Sequence, residues 1–485
     1  MKINNLLNSF IGIIIVVGLL YSCQGNKSTS EQPNIVLIVV DDLGYADMSC
    51  TGLVEDVKTP NIDLLANNGI RFTNAYATSP ICNPSRVGLI TGCYQQRLGQ
   101  YWYSGPGLHD TSFVTIAEVL NKHGFFTGFI GKVHYGSLDQ LDMHGFPLNH
   151  GFDRFYGFTS ATKHYLHHKK EYQVENDMLF QGPLWIQDKR CDVDGFTTAL
   201  FGQEACQFIR ENRTHKFFLM VSFNAVHNFT HQLPEWYLKE KGLQGFEDFD
   251  PAREDYWDWR EKLSYPVHPE GRQYYLGQLH FLDIEIGRII QELHDNGLEE
   301  NTVMMLVSDN GGSLVTYANN GNLKGGKYTL FEGGIRVPMI ISWPQNYQIE
   351  LVTENVVSIF DLFPTILGLS GIPIPEHLDG IDLTPLLTGK DPSLEHNRLC
   401  WDTKAECAVR SGQWKLLITK EIPNQRLQIV ETPIGEFLYD LSRDPGEMND
   451  LSNDYPEVVE QLKSMLEKWQ SAVNQDQEAC TQKNK

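Results

Sequence analysis

The sequence predicts an α/β fold: a large, mixed, mostly parallel sheet covered by helices on both faces, followed by a smaller C-terminal α+β domain. Continuous apolar runs rich in β-branched residues recur along the chain, and such runs are typical of strands buried on both faces. Helical patterns lie between these runs. Alternation of this kind indicates a parallel sheet with helices on both sides.

Three apolar runs are the predicted core strands, at residues 34–40, 217–221 and 302–307. A helix is predicted over residues 115–124. It begins at Thr115 with Glu118 three residues on, which is the pattern of a capping box, and it ends at a glycine.

The C-terminal part differs in pattern from the rest of the chain. Beyond the proline-containing stretch 373–375, shorter strand-like runs occur at 401–409, 414–418 and 437–441. Apolar residues then recur at helical spacing over 456–473, which predicts a packed amphipathic helix. We therefore assign residues 33–375 to the main domain and residues 376–485 to a C-terminal subdomain.

The first 23 residues predict a signal peptide. Lys2 provides positive charge, residues 11–20 form an apolar core too short to span a membrane, and Ser22 is small. The run ending at Cys23 resembles a lipoprotein cleavage box, so we expect a lipid anchor at Cys23 and a polar tether over 24–32. Ordinary secretion is the alternative. In both cases the protein is exported, to the periplasm or cell envelope.

Charge and cysteine content limit the possible functions. The formal net charge of −22 argues against a nucleic-acid partner, because such binding usually depends on a basic surface. An anionic substrate would therefore need a local basic pocket. The nine cysteines are irregularly spaced, and pairing of Cys191 with Cys206 or of Cys400 with Cys407 stays open.

Polar side chains follow two of the predicted strands. Asp41 and Asp42 follow the first strand, and Asp309 and Asn310 follow the strand at 302–307. Ligands of open parallel sheets bind beyond the carboxyl ends of the strands, and oxygen ligands suit calcium or magnesium. Such residues also cap turns and helices. Two acid-terminated strands in one sheet favour the metal site.

The stretch Cys82-Asn83-Pro84-Ser85-Arg86, followed by residues 87–92, resembles the activation signature of the type I sulfatases of the alkaline-phosphatase-like superfamily. Further blocks resemble the same family in the same order, at 131–134, 324–327, 332–336, 438–441 and 444–449. The resemblance implies a catalytic main domain and a sulfuric ester hydrolase. It also implies that a formylglycine-generating maturation enzyme oxidises Cys82, whose default interpretation without this signature is a buried structural thiol.

The resemblance further implies how the site works. Hydrated formylglycine at position 82 would attack sulfur with one hydroxyl and release sulfate with the other. One divalent cation, with calcium favoured over magnesium, would be held by oxidised Cys82 and the residues that follow the two strands: Asp41, Asp42, Asp309 and Asn310.

Arg86, Lys132 and Lys327 would bind the sulfate, and His134 and His227 would transfer protons. The family pattern is not complete. Val133 and Tyr135 replace its usual tryptophan and leucine, and Val226 stands where a proline often precedes the second histidine. For the family's substrate-contacting hydroxyl after His134, Thr159 and Ser160 are the candidates.

The expected substrate is a sulfated carbohydrate. Aromatic residues 101–103, Trp185, Trp236 and Tyr237 could stack on sugars, although ordinary packing explains any one of them equally well. The basic stretch 163–170 could contact an anionic glycan, and a solvated loop is the simpler interpretation. Two alternatives stay open: a phosphodiesterase or phosphonate-ester hydrolase of the same superfamily, and a non-catalytic glycan-binding lipoprotein.

Overall fold

The protein is represented by a computed structural model. It describes residues 32–103, 105–109, 111–135, 141–161, 163–166, 184–250, 252–344, 352–421, 430 and 432–483. The predicted signal peptide, the anchor at Cys23 and the tether up to residue 31 lie outside the described residues. Within the described ranges, no helix combines the length and the apolar character needed to cross a membrane.

The described strands are β1 (Asn34–Val40), β2 (Gly69–Tyr76), β3 (Phe126–Lys132), β4 (Arg154–Phe158), β5 (Leu184–Ile186), β6 (Lys189–Cys191), β7 (Phe217–Ser222), β8 (Thr302–Ser308), β9 (Met339–Ser342), β10 (Val352–Ser358), β11 (Leu399–Asp402), β12 (Glu406–Ser411), β13 (Trp414–Thr419) and β14 (Gly435–Asp440). The described helices are α1 (Pro60–Asn67), α2 (Cys82–Thr91), α3 (Ile116–Lys122), α4 (Thr197–Asn212), α5 (Glu235–Lys241), α6 (Tyr256–Leu263), α7 (Gly271–Asp295), α8 (Glu332–Ile335), α9 (Leu362–Leu369), α10 (Thr384–Leu387) and α11 (Pro456–Lys483).

The main domain is built on a ten-stranded sheet in the order β10-β2-β9-β8-β1-β7-β3-β4-β5-β6. The three predicted core strands, β1, β7 and β8, are neighbours, and β1 pairs in parallel with both of the others. Strand β9 runs antiparallel between β8 and β2. The predicted large, mostly parallel mixed sheet is therefore confirmed.

Helices cover both faces of this sheet. Alternate side chains of β1 point to opposite sides, as strand geometry requires. Val36 and Ile38 join a core with residues of α4 and α7, whereas Ile35 and Leu37 join a core with residues of α2, α3 and α9. The predicted helix after Thr115 is confirmed as α3, whose capping box links Thr115 and Glu118 in both directions.

The C-terminal sheet has the antiparallel order β11-β12-β13-β14, and residues of α11 pack into its core. The predicted run 401–409 is interrupted, since β11 ends at Asp402 and β12 begins at Glu406. Helix α10 lies after the boundary predicted at 375 but packs in the core of the main domain. The small sheet begins later, with β11 at Leu399.

The cysteine pairs that the sequence left open are not formed. Cys191 and Cys206 have free thiols, and so do Cys400 and Cys407. The last two lie on adjacent strands but are not opposite each other, because Cys400 pairs with Val409 in the register of β11 and β12. The strand register thus separates two residues whose short spacing made a bridge conceivable.

A buried ion cluster joins the two domains. Lys415 Nζ of β13 lies 3.0 Å from a Glu332 carboxylate oxygen and 2.8 Å from one of Glu447, and all three side chains are buried. The Glu332 backbone N–H also donates to Glu447 at 2.6 Å. Because Glu332 begins α8, five residues after Lys327, this cluster fixes the loop that brings Lys327 to the sheet edge.

Candidate active site

The four polar residues after β1 and β8 lie together at the carboxyl edge of the sheet. Val40 and Ser308 are opposite each other in the parallel register, so the residues that follow them leave the sheet side by side. Asn310 Nδ2 donates to Asp42 Oδ1 at 2.8 Å, and the Asp42 backbone N–H donates to Asp309 Oδ1 at 3.2 Å. Asp41 is buried with them.

Cys82 is the first residue of α2 and is 2% exposed. Its Sγ lies 3.4 Å from Asp41 Oδ1 and 3.9 Å from Asp42 Oδ1. Lys327 Nζ donates to the same sulfur at 3.2 Å. Burial raises the pKa of the Cys82 thiol well above its usual range despite the nearby lysines, so the unmodified thiol stays protonated at neutral pH.

Three buried cations lie around this sulfur, as expected for a site that binds an anion, but each of them already has a carboxylate partner. Each of them pairs with one carboxylate: Arg86 Nε with Asp309 at 2.8 Å, Lys132 Nζ with Asp41 at 2.5 Å, and Lys327 Nζ with Asp42 at 2.8 Å. Burial opposes ionisation of Asp309, but the three cations outweigh it and lower its pKa. The pocket as a whole balances three carboxylates against three positive charges.

Arg86 is held by contacts that leave one of its nitrogens available. Its Nη1 donates to the Lys132 carbonyl at 2.9 Å and to Ser222 Oγ at 2.7 Å. Its buried Nη2 has no hydrogen-bond partner among the described residues and lies 3.9 Å from Asp41 Oδ1. This arrangement needs close approach of β3 and β7, because a Cβ on Gly131 (φ +107°) would lie 1.9 Å from the Ser222 carbonyl oxygen.

Two histidines complete the pocket. His134 is partly buried and has a positive φ of 51°, and its buried Nδ1 has no hydrogen-bond partner in the described chain. His227 Nε2 lies 3.6 Å from Asp42 Oδ2. Burial lowers the pKa of each histidine well below its usual range, and the nearby cations lower it further. Both rings are therefore neutral at neutral pH and can accept a proton.

The donor set fits a hard divalent cation. Ligand atoms of Asp41, Asp42, Cys82 and His227 all lie within 4.8 Å of one another. Asn310 Oδ1, a buried acceptor, has no partner within the described structure. Burial raises the pKa of Asp41 to about 7, and a bound cation would hold this carboxylate in its ionised form. Asp309, although predicted as a ligand, is turned toward Arg86.

The predicted aromatic residues separate into two groups. The ring centroids of Trp102 and Tyr328, the residue after Lys327, lie 6.2 Å apart. The side chain of Asn83, the residue after Cys82, donates a hydrogen bond to the Tyr103 carbonyl. Tyr103 is 51% exposed. These residues border the pocket.

The remaining aromatic candidates pack away from the predicted site residues. Tyr101 is buried and hydrogen-bonds to Asn474 of α11, and Trp185 is buried against Phe146. Trp236 packs on Phe281 of α7 and is 60% exposed. Tyr237 is also buried against α7. None of these packing partners is a predicted site residue.

Two other predictions have mixed outcomes. Lys163, expected in a solvated loop, is only 3% exposed, while residues 167–170 lie outside the described chain. Thr159 and Ser160 directly follow β4, the neighbour of the strand that carries Lys132. Their predicted contact with substrate stays a prediction.

Sequence reasoning missed several residues near the pocket. Ser222 orients Arg86, and its position at the end of a core strand is a signal that could have identified it. Tyr165 donates a hydrogen bond to the Asn224 carbonyl beside His227, and Tyr328 adjoins Lys327. Arg260 of α6 has no sequence signal, since it lies in a short aromatic helix outside every recognised block.

Fold and site together define an α/β protein with a buried cluster of cations and carboxylates around Cys82, at the carboxyl edge of its sheet. The profile of the sulfatase family matches residues 33–372, and a profile described as the C-terminal part of N-sulphoglucosamine sulphohydrolase matches residues 326–472. The chain belongs to the sulfatase family, as the motifs around Cys82 predicted, and the protein is a sulfatase.

Relatives agree over nearly the full length. Human arylsulfatase A is 30% identical over 92% of this chain and 89% of its own. An N-acetylgalactosamine-6-O-sulfatase of Bacteroides thetaiotaomicron is 27% identical over 96% and 99% of the two chains. Among solved structures, Ps i-CgsB in complex with k-i-k-neocarrahexaose superposes with a TM-score of 0.74 and 29% identity, covering 91% of this chain and 93% of that one.

Proposed function

We propose that this sulfatase removes O-sulfate esters from a carbohydrate, using formylglycine made from Cys82 and one divalent cation, with calcium favoured. The observation that carries the proposal is the convergence of a lysine and two carboxylates on one buried sulfur, with Lys327 Nζ at 3.2 Å and Asp41 Oδ1 at 3.4 Å. Relatives named for carbohydrate sulfates support the substrate class.

The side chains around position 82 have different roles in the proposed reaction. Formylglycine supplies, as its hydrate, one hydroxyl to attack sulfur and a second to release sulfate. Lys327 and Arg86 Nη2, which has no partner among the described residues, donate to charge that develops on the sulfate, in a water-poor pocket where such bonds are strong. Lys132 adds a third positive charge. His134 and His227 transfer the protons of the attacking group and the leaving alcohol.

The residues of the proposed cation site lie together at the carboxyl edge of the sheet. Asp41, Asp42, Asp309 and Asn310, with oxidised Cys82, would hold the ion, which supplies polarisation of the sulfate ester and stabilises an ionised nucleophile. The buried Asn310 Oδ1 that lacks a partner supports its place in this set.

An aromatic border supports a sugar ring as the leaving group. Trp102, Tyr103 and Tyr328 lie beside the pocket, with Trp102 and Tyr103 ring centroids 6.0 Å apart. Aromatic faces bind the apolar faces of sugars, so these residues would hold the carbohydrate while its sulfate enters among the cations.

Maturation and location complete the proposal. A formylglycine-generating enzyme would act on Cys82, and export with lipidation at Cys23 would attach the protein to the cell envelope. Metabolic labelling with a palmitate analogue tests the anchor: Cys23→Ala removes the label if the proposal holds. Label that persists in this variant contradicts it.

The function itself is tested by sulfate release from a panel of sulfated saccharides. We expect the protein purified from its native envelope to release sulfate, and Cys82→Ala to release none. Phosphate and sulfate esters of the same alcohol provide the second comparison. Preference for phosphate would support the phosphodiesterase alternative, and saccharide binding without any cleavage would support a binding protein.

A further inference from the structure

Helix α6 packs against the loop that carries His227. Trp259 of this helix lies 5.7 Å from Phe229 and 5.6 Å from His231, measured between ring centroids. At the start of the helix, the Tyr256 hydroxyl accepts a hydrogen bond from Asn228 at 3.4 Å. The helix is therefore fixed beside the residues that follow β7, and its side chains on this side border the pocket.

Arg260 of α6 is a buried cation without a counterion. It is 9% exposed, and within the described ranges no carboxylate lies within ion-pair distance of its guanidinium. Every other buried cation of the pocket has a carboxylate partner within 2.8 Å. A largely buried cation that has no carboxylate partner among the described residues gains free energy from a ligand that brings negative charge.

The guanidinium is oriented and lies close to the pocket. Its Cζ lies 5.6 Å from the centroid of the Trp257 ring, one turn earlier in the helix, and this cation–π contact supports one face of the group. Arg260 directly follows Trp259, whose ring packs against Phe229 of the loop that carries His227.

We propose that Arg260 binds a second acidic group of the substrate, beside the sulfate that is cleaved. This inference rests on the proposed function and specifies its substrate: a carbohydrate with at least two anionic groups. A planar guanidinium matches the paired oxygens of a carboxylate or a sulfate, so the partner is either a uronic-acid carboxylate or a second sulfate. Arg260 thereby determines specificity and takes no part in bond breaking.

Three matched saccharides test this role. One carries a single sulfate on a neutral sugar, the second adds another sulfate, and the third joins the singly sulfated sugar to a uronic acid. We expect wild-type kcat/KM to be roughly 10- to 100-fold higher for one of the doubly anionic substrates, the range of a charge-assisted hydrogen bond. Which of the two is preferred identifies the acidic group.

Arg260→Gln should abolish this preference and leave kcat/KM for the singly sulfated sugar unchanged, whereas Arg260→Lys should retain part of it. Arg253→Gln is the matched control, because Arg253 is 68% exposed and its described ion pairs are with the exposed Glu247 and Asp250. Melting temperatures identify any variant that fails to fold. If Arg260→Gln does not fold, the role of Arg260 is tested by the substrate preference of the wild type and by its partial retention in Arg260→Lys.

Two results would overturn the inference: a wild-type enzyme without preference for either doubly anionic substrate, or an equal loss on all three substrates in Arg260→Gln. Failure of the wild type to cleave any of the three is a different outcome. It would contradict the proposed function itself.

Discussion

Replacing Lys327 by methionine removes the one described cation whose nitrogen reaches the Cys82 sulfur, at 3.2 Å. Methionine keeps most of the side-chain length, and Asp42 retains its bond from Asn310 Nδ2 at 2.8 Å. The fold should therefore persist. Loss of one donor aimed at developing charge in such a site costs about 2.7–4 kcal/mol, so we expect kcat to fall roughly 100- to 1,000-fold.

The assay is steady-state sulfate release, with the formylglycine content of each variant measured by mass spectrometry so that incomplete maturation is not read as slow chemistry. The KM should change little, because Arg86 and Lys132 still attract the sulfate. Lys324→Met is the matched control: Lys324 contacts the Phe331 ring, at 4.3 Å from its centroid, and should leave kcat unchanged. Wild-type turnover in fully matured Lys327→Met would refute the role of this lysine.

Three further predictions concern stability and the metal. Lys415→Met leaves two buried carboxylates without their shared cation and should destabilise the fold by about 3–5 kcal/mol in chemical denaturation, against less than about 1 kcal/mol for Lys463→Met at the surface. An equal loss of stability in Lys415→Met and Lys463→Met would contradict the stabilising role of the buried cluster.

Burial acts to lower the pKa of His396, but Asp361 outweighs it and raises that pKa. Its stabilising contribution is therefore full below the ordinary histidine pKa of about 6.5 and is lost as pH rises through the folded value. Wild type should exceed His396→Gln in stability by more at about pH 5.5 than at about pH 9; a constant difference would contradict this. Finally, a chelator should abolish sulfate release and lower the melting temperature, and added calcium should restore both. Full activity in chelator would contradict the metal site.

Much of this site could be predicted because it depends on strand order and local pattern. Strands β1 and β8 were recognised as buried runs, and residues after neighbouring parallel strands necessarily meet at one edge. That reasoning brought Asp41 and Asp42 together with Asp309 and Asn310. Lys132 and Lys327 came from the family resemblance instead, since a single lysine at the end of a strand or in a loop has no periodic pattern of its own.

The rest depends on contacts between segments that are distant in sequence. The cluster of Glu332, Lys415 and Glu447 draws on three separate segments, so no local spacing indicates it. Arg260 depends on how α6 packs against the loop after β7. Tyr101 and Trp102 are neighbours in sequence, but Tyr101 contacts α11 whereas Trp102 packs on Tyr328 beside the pocket. Aromatic composition cannot distinguish the two.

The most direct test of the account is peptide mass spectrometry across Cys82 on catalytically active protein purified from its native envelope. We predict that the active fraction carries an aldehyde in place of the thiol and that activity rises in proportion to its content. Active protein in which Cys82 is an unmodified cysteine throughout would contradict the central claim that this residue acts as formylglycine.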